Sequence, residues 1–563
     1  MIHRKRLAAF LAVGLAAAVL APAAGAATKT TKKKAKAKTA KTTAKPTIKP
    51  TTAPAATQAP AVAAPATGGK SGGKMVWGIG AETNTWLPAS ANFAAEGAQV
   101  ATSVMERLTA IDDKGDWKPF LLESMVPNGS YTIWTMTVRK GIKFHNGEPL
   151  DAEAVATNIQ SIRTGVGANA YLNLGVCAVE SEFVITCTAK KPWVALPFTF
   201  SGIGASIVAP AQIKAKEERA PIGTGPFKFK EWVPNVKFVA TKNPDYWQKG
   251  FPKADEVEFR VILSDDARLA QLLSGQIDYY QTPTAVFYQQ LLKEEKDKKI
   301  KLFLNEGATA VNYDLLNNAI PPFNNRDCRL AAAQALDMDT LVKLRAPGFD
   351  VAKGPFAKGT LGYLEDPGYP KFNLDAAKAS FEKCKAANPA NASFTMATTT
   401  LPDAIETRNI KKQMVERAGF TIKTVEIPQA SYIITALVGS FQWQTWRNHG
   451  AVDPDGERLW WATETAIAPP GIALNFGRVR DGNIDAALDQ IRASSDPVVR
   501  KRAAEIINTT FGDQVYAIWN WPSKYMVGAC NTCTGFGDNR LPDGSRAMQN
   551  LAGFNFLLTL TGK

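Results

Sequence analysis

PIGTGPFKFKEWVPNVKFVATKNPDYW, residues 221–247, decides how the rest of this 563-residue chain reads. Gly223 and Gly225 flank Thr224, and Pro226 follows at once. Two glycines reach backbone angles closed to other residues, so the segment predicts a tight turn with a fixed exit. Phe227 and Phe229 alternate with Lys228 and Lys230, the period of a half-buried strand. Val233-Pro234-Asn235 marks a second turn, and Val236, Phe238 and Ala240 alternate again. The pattern predicts a hairpin, ended by Asn243-Pro244-Asp245 and capped by Tyr246 and Trp247. A phosphate loop is the competing reading of Gly-Thr-Gly. Such a loop needs a Lys followed by Ser or Thr before a helix, and a row of free N–H groups. Pro226 removes a donor and a strand pattern follows, so the turn reads as architectural.

Three other segments carry related signals. Residues 138–159, VRKGIKFHNGEPLDAEAVATNI, read as strand, turn and helix start. Residues 267–279, ARLAQLLSGQIDY, read as helix, glycine and strand. Residues 312–342 read as a crossing strand followed by a helix. Together with G-T-G-P-F and K-N-P-D-Y-W, these segments resemble, in the same order, the extracellular solute-binding proteins of the peptide/nickel class (family 5), which serve ABC importers. The resemblance covers most of residues 75–563. It implies an α/β, two-lobe periplasmic-binding-protein-like fold of type II, in the large family-5 form. Lobe I would run over 75–310 with a subdomain, lobe II over 311–520, and 521–563 would return to lobe I. Hinge strands are expected near 308–315 and 516–525.

Charge is distributed unevenly. The formal net charge is +15, which invites a nucleic-acid reading. Residues 1–74 hold fourteen Lys or Arg and no acid, so the remaining 489 residues carry only +1. The basic balance belongs to the tail, and no nucleic-acid partner is expected. Arg4-Lys5-Arg6, the apolar run 7–20 and the small residues Ala24-Gly25-Ala26 read as a signal peptide over 1–27. An uncleaved membrane anchor is the other reading, because the apolar run approaches bilayer length. No Cys stands at the cleavage site, so no lipid anchor is expected there. Residues 28–74 are low-complexity, rich in Lys, Thr, Ala and Pro, and read as a disordered linker. It serves as a solvated spacer or as an electrostatic attachment to anionic cell-envelope polymer.

Export permits disulfides. Six cysteines allow fifteen pairings. Cys177 and Cys187 flank an acidic turn between two apolar runs, where a hairpin bridge is natural. Cys530 and Cys533 enclose two residues and suit a small closed loop. Cys328 and Cys384 remain, both on predicted helices. A lone C-x-x-C without a thioredoxin-like strand and helix argues against redox work. No four ligands gather for zinc, so neither metal nor cofactor is expected.

Along the globular part, Met75, Trp77 and Ile79 predict a first strand, and the spacing of Val100, Val104 and Leu108 a helix over 95–108. Asp151 is the expected cap of the next helix, and Asp265 with Asp266 of another, ended by Gly275. Asp337 and Asp339 read as a solvated helix face. Helices are expected over 375–385, 410–418 and 484–493, a strand over 422–427, and a long aromatic strand over 514–527.

Catalytic constellations are scarce. Only His3, His145 and His449 occur, and no nucleophile elbow or zinc motif is found. His145 reads as structural, in the turn Phe144-His145-Asn146-Gly147. The segment richest in binding chemistry is 441–461, FQWQTWRNHGAVDPDGERLWW. Trp offers a flat apolar face with one donor, and Arg a planar fork for carboxylate or phosphate, a mixture suited to a binding wall. The resemblance places ligand next to this segment, and Trp446 matches the family's aromatic position. Family members that bind peptides set an Asp shortly before the Asp-Pro. This chain has Gly450 there, and Arg447 and His449 point instead to an anionic or polar ligand. The expected ligand-binding residues are Trp446, Arg447, Asn448, His449, Trp443 and Asp453, joined by Asn84, Thr85 and Trp86 from the first lobe and Tyr171 after its long helix.

These signs favour a monomeric solute receptor without enzymatic activity. It would capture a small polar solute, peptide-like or anionic, and pass it to ABC permease subunits from the periplasmic space or cell envelope. The rivals are an envelope protein adhering through its basic tail and an exported hydrolase. Deleting residues 28–74 leaves a receptor's affinity intact and removes an adhesin's activity.

Overall fold

A computed structural model of the chain describes residues 71–305, 310–447, 452–468, 471–549 and 559–561. The signal peptide, nearly all of the linker, residues 308–309 of the expected hinge, and Asn448, His449 and Gly450 lie outside the described residues.

The hairpin forms as its alternation requires. Strand Phe227–Val233 pairs antiparallel with Lys237–Lys242, and Asn235 turns between them with φ +62°. The glycine turn forms for a different reason from the one expected. Neither Gly223 nor Gly225 occupies the left-handed region. Both are needed because the turn lies directly against the end of helix Ala95–Val104. A Cβ on Gly223 would fall 1.9 Å from Val104 O, and one on Gly225 2.6 Å from Val104 C. Gly225 N donates to Val104 O at 3.0 Å. Thr224 Oγ1 donates to Glu106 at 2.9 Å, Tyr246 Oη at 2.6 Å and Trp247 Nε1 at 3.0 Å. Burial pushes the Glu106 carboxyl up to about 7, against the pull of these three donors. His145 Nε2 donates to Gly225 O at 2.9 Å, and its own N–H to Gly223 O at 2.9 Å. Burial pushes its imidazole down to about 4. The turn is a clasp holding helix, hairpin and the 144–147 turn together.

Two large sheets carry the molecule. The first has seven strands in the order Ile300–Leu304, Met526–Cys530, Tyr279–Thr282, Lys74–Ile79, Glu256–Val261, Lys237–Lys242, Phe227–Val233. The second has five, Thr421–Ile427, Ser393–Thr399, Trp443–Arg447, Ala310–Leu316, Ala517–Ser523. A separate four-stranded antiparallel sheet, Leu122–Pro127, Ile133–Val138, Val184–Ala189, Leu174–Ser181, has its own core around Trp134, Met136, Phe144 and Trp193. Helix Ala95–Val104 is buried on every side, consistent with its mostly small and apolar residues.

The expected long strand over 514–527 is instead two strands in different sheets. Ala517–Ser523 pairs with Ala310–Leu316 in the second sheet, and Met526–Cys530 with Tyr279–Thr282 in the first. Pro522 interrupts the backbone donors near the end of the first of them. The chain therefore passes between sheets at Lys524 and Tyr525. It passes in the other direction between Leu304 and Ala310, and Asn305 N donates to Tyr525 O at 3.1 Å, so the two crossings lie side by side. Asp151 caps its helix as expected. Asp265 and Asp266 do not cap theirs: Ser264 accepts from Ala267 N, and the two acids fill the first turn. Asp337, expected on a solvated face, caps helix Met338–Arg345.

Three disulfides use all six cysteines. Cys177 and Cys187 face each other in the hairpin register. Cys530–Cys533 closes a short loop, and Cys328–Cys384 ties helix Arg326–Ala335 to Leu374–Ala387 across 56 residues. Closing a loop of that length restricts the unfolded chain by about 4 kcal/mol. The Cys328→Ser/Cys384→Ser double variant is expected to lose most of this, read as a lower urea midpoint. An unchanged midpoint would show that the bridge adds nothing to stability.

Candidate functional site

The crossings place one charged side chain in a distinctive position. Strand Trp443–Arg447 pairs with Ala310–Leu316, and Arg447, at its end, stands opposite Asn312. Arg447 Nε donates to Tyr525 Oη at 3.1 Å, and its guanidinium lies 5.6 Å from the centre of that ring. Tyr525 belongs to the crossing itself. Burial opposes the Arg447 charge, yet Tyr525, Glu96 and Asp265 together hold its pKa above the ordinary arginine value. Glu96 and Asp265 come from helices packed on the first sheet, and Arg447 from the second sheet. Charges from both sheets thus converge beside the crossings. Lys524 lies 4.7 Å from the ring centres of Tyr288 and Phe349, which bring the two sides into contact there.

Trp446 precedes Arg447 and is half-buried. It stacks at 6.0 Å on Tyr432 and tilts at 4.8 Å against Phe476, which Trp460 also touches at 5.7 Å. Trp443 lies elsewhere than expected. It is fully buried, stacked on Phe394 and edge-on to Phe323, because alternation along the strand turns it into the core behind the sheet. Trp86 is also fully buried, between Phe93, Trp232 and Phe238. Thr85 donates to Glu218 O. Asn84 shapes its own loop, accepting from Asn92 N and donating to Ser90 O. Tyr171 is buried against Phe200, and burial raises its hydroxyl's pKa. These residues build walls and loops. Of the expected set, Arg447 is the described residue whose contacts reach the junction of the sheets, while the rings around Trp446 all belong to the second sheet's side.

Asp453 has an internal partner. It caps the turn Pro454–Glu457 and pairs with Arg500. Asp455 takes two hydrogen bonds from Arg492 at 2.8 and 3.0 Å and one from Trp193 Nε1 at 2.9 Å. The Arg492 guanidinium also lies 4.3 Å from the Trp193 ring centre. Trp193 follows the four-stranded sheet, so this buried network joins that sheet to the second lobe's helix Gly482–Ala493. Sequence reasoning missed the Tyr525 contact to Arg447 and this network. Only the Asp-Pro-Asp spacing hinted at the last. Among the described residues, Asp278, Cys530 and Cys533 form a metal-like grouping, but the two sulfurs are bonded to each other and offer no thiolate.

The model for bacterial extracellular solute-binding proteins, family 5, matches residues 116–468. The chain belongs to this family. Among curated relatives, the glutathione-binding protein GsiB of Escherichia coli K12 is 25% identical over 308 residues, covering 54% of this chain and 59% of GsiB. The chain thus spans about three fifths of the length of such relatives. Among solved structures, AgaA of A. tumefacien R10, in complex with agropinic acid, superposes with a TM-score of 0.77 at 20% identity over 87% of this chain and 99% of AgaA. DppA of Helicobacter pylori, in complex with the peptide STSA, gives 0.76 at 20% identity over 87% and 98%. This family-5 chain has the two-lobe α/β fold, and it passes between its two large sheets outside the strands themselves.

Proposed function

We propose that this chain is the substrate-binding component of an ABC importer. Exported to the periplasmic space or cell envelope, it holds a small polar or anionic solute, peptide-like or otherwise, between its lobes. It delivers that solute unchanged to membrane permease subunits. We place the lobe boundaries at the crossings, 305–309 and 524–525, a few residues from those expected. The adjacent crossings support hinge motion, since few backbone angles then need to change. Ligand stabilises the closed form only as far as it binds that form better.

The observation that carries this reading is Arg447. It is held by Tyr525 at the crossing, while its terminal nitrogens bond no described residue. A planar fork so presented suits a carboxylate or similar anion. Native mass spectrometry of protein purified without refolding is expected to show a retained small molecule. Arg447→Ala should weaken its binding by about 10- to 100-fold, the range for one lost charge-assisted bond. Unchanged affinity in Arg447→Ala removes that residue from the site. Protein that neither retains nor takes up any small molecule ends the receptor reading.

A further inference from the structure

Cys530-Asn531-Thr532-Cys533 begins at the last residue of strand Met526–Cys530 and closes on itself through its disulfide. The lack of a thioredoxin-like strand and helix argues against catalytic redox work, but not against chelation. An Asp278 carboxylate oxygen and the two sulfurs all lie within 4.8 Å of one another. Asp278, Cys530 and Cys533 are only 6%, 7% and 2% exposed. A tetrahedral zinc, with Zn–S of about 2.3 Å, sets two thiolate sulfurs about 3.8 Å apart. Little movement therefore brings all three ligand atoms onto one ion. The shape of the loop does not depend on the S–S bond. Cys533 N donates to Cys530 O at 3.1 Å, and Cys530 N to Asp278 O at 2.9 Å. Lys301 Nζ donates to Cys533 O at 2.6 Å, and Asn531 Nδ2 to Lys298 O. Thiols freed here stay side by side next to Asp278. Val76 N fixes one Asp278 oxygen at 2.8 Å, and Thr532 Oγ1, 3.4 Å from Cys530 Sγ, is placed to donate to a thiolate. This bridge joins cysteines 3 apart in sequence, against 10 and 56 for the others. So small a ring restricts the unfolded chain least, which makes this disulfide the one that costs least to open. Asn531 and Thr532 are exposed, so a reductant meets the loop from solvent.

We propose that Cys530, Cys533 and Asp278 form a redox-switched metal site, shut while the disulfide stands and, once a dithiol has reduced it, open to a thiophilic divalent cation, zinc above all. A thiolate of the reductant attacks one sulfur and breaks the S–S bond, and its second thiol then displaces the mixed disulfide. Two electrons and two protons pass to the protein, and the reductant leaves as a cyclic disulfide. Metal binding then releases the two thiol protons. Two thiolates beside a carboxylate are costly in so buried a place until a cation meets them. Sulfur ligands select zinc over magnesium or calcium, and three protein ligands leave the fourth position to water. Strand Met526–Cys530 sets about 17 Å between Tyr525 and Cys530, so this site is separate from Arg447 and does not rest on the receptor reading.

The test uses the whole exported chain, oxidised and after mild treatment with dithiothreitol that is then removed without oxygen. Alkylation and peptide mass mapping are expected to find Cys530 and Cys533 opened first, with the aromatic near-ultraviolet circular dichroism retained. The reduced chain should bind a single Zn²⁺, and Co²⁺ in its place should give thiolate-to-cobalt charge-transfer absorption. The oxidised chain should bind neither ion. Cys530→Ser/Cys533→Ser should lose the binding, while Cys177→Ser/Cys187→Ser and Cys328→Ser/Cys384→Ser keep it. Asp278→Asn, which can still accept from Val76 N, should keep the charge-transfer band and weaken zinc by at least about 10- to 100-fold, the range for disturbing even an outer partner of a metal ligand. A Cys530–Cys533 bridge that opens only when the chain unfolds overturns the switch. So does a reduced, folded chain that takes up no zinc, uptake that is equal before and after reduction, or uptake that survives the loss of both Cys530 and Cys533. Unchanged zinc affinity in Asp278→Asn overturns the three-ligand site.

Discussion

Gly223→Ala is expected to destabilise the folded chain by about 4 kcal/mol, combining the overpacking of a filled site with one or two broken buried hydrogen bonds. The added Cβ would sit 1.9 Å from Val104 O, a backbone atom that no rotamer change moves aside. Relief means separating the turn from the helix end. That separation strains Gly225 N to Val104 O, Thr224 to Glu106, and the His145 contacts to Gly223 and Gly225. Loss of the Thr224 donor also leaves Glu106 buried with fewer partners, which adds to the penalty. Gly129→Ala is the control: nothing lies within 4 Å of its Cβ position and its φ is ordinary. The measurement is the urea midpoint of each variant. A Gly223→Ala midpoint equal to that of Gly129→Ala would mean that the turn yields without cost.

The hairpin and the first-lobe helices were legible because their apolar residues repeat at the strand or helix period, and the glycine turn by residue type alone, since its cause, the close approach of Val104, exists only in the fold. Helix Pro497–Gln514 was not. Its buried face is Arg500, Ala503, Ala504, Ile507, Asn508 and Phe511, which has helical spacing but little apolar contrast. Arg500 is buried because it pairs with Asp453, a partner 47 residues away that no local window sees. The same limit governs the site. Trp446 and Arg447 stood out by type, whereas Glu96 looks like an ordinary acid in a helix's first turn. Its burial exists only after folding. Trp443 failed in the opposite sense, since its type suited a binding wall and its strand register turned it inward. Cys177–Cys187 and Cys530–Cys533 are the bridges that spacing suggested, and Cys328–Cys384 joins the two cysteines that were left.

Asp455→Ala is expected to cost about 3 to 5 kcal/mol, the range for removing one partner of a buried ion pair. Arg492 has 9% of its side chain exposed and would keep its charge with no carboxylate against it. Trp193 Nε1, fully buried, would lose its acceptor as well. The decisive comparison is Asp455→Ala against Asp455→Ala/Arg492→Met. Removing both charges should recover much of the loss, because the penalty lies in the stranded guanidinium more than in the missing attraction. If the single and double variants unfold at the same midpoint, Arg492 is solvated well enough not to need Asp455. The network has a second consequence under the hinge reading. Trp193 hangs from the four-stranded sheet of the first lobe, and Asp455 and Arg492 from the second, with Lys191–Asp489 and Val194 N to Arg492 O beside them. Contacts that span the lobes favour the closed arrangement over an open one. Asp455→Ala should then raise the ligand dissociation constant through a faster off-rate, although the Asp455 carboxylate is spent on Arg492 and Trp193. Arg447→Ala, which strands only the Tyr525 hydroxyl, should lower the urea midpoint of the free protein by less than Asp455→Ala does while weakening binding directly, so stability and affinity measured on the same two variants separate a residue that holds the lobes together from one that holds the solute.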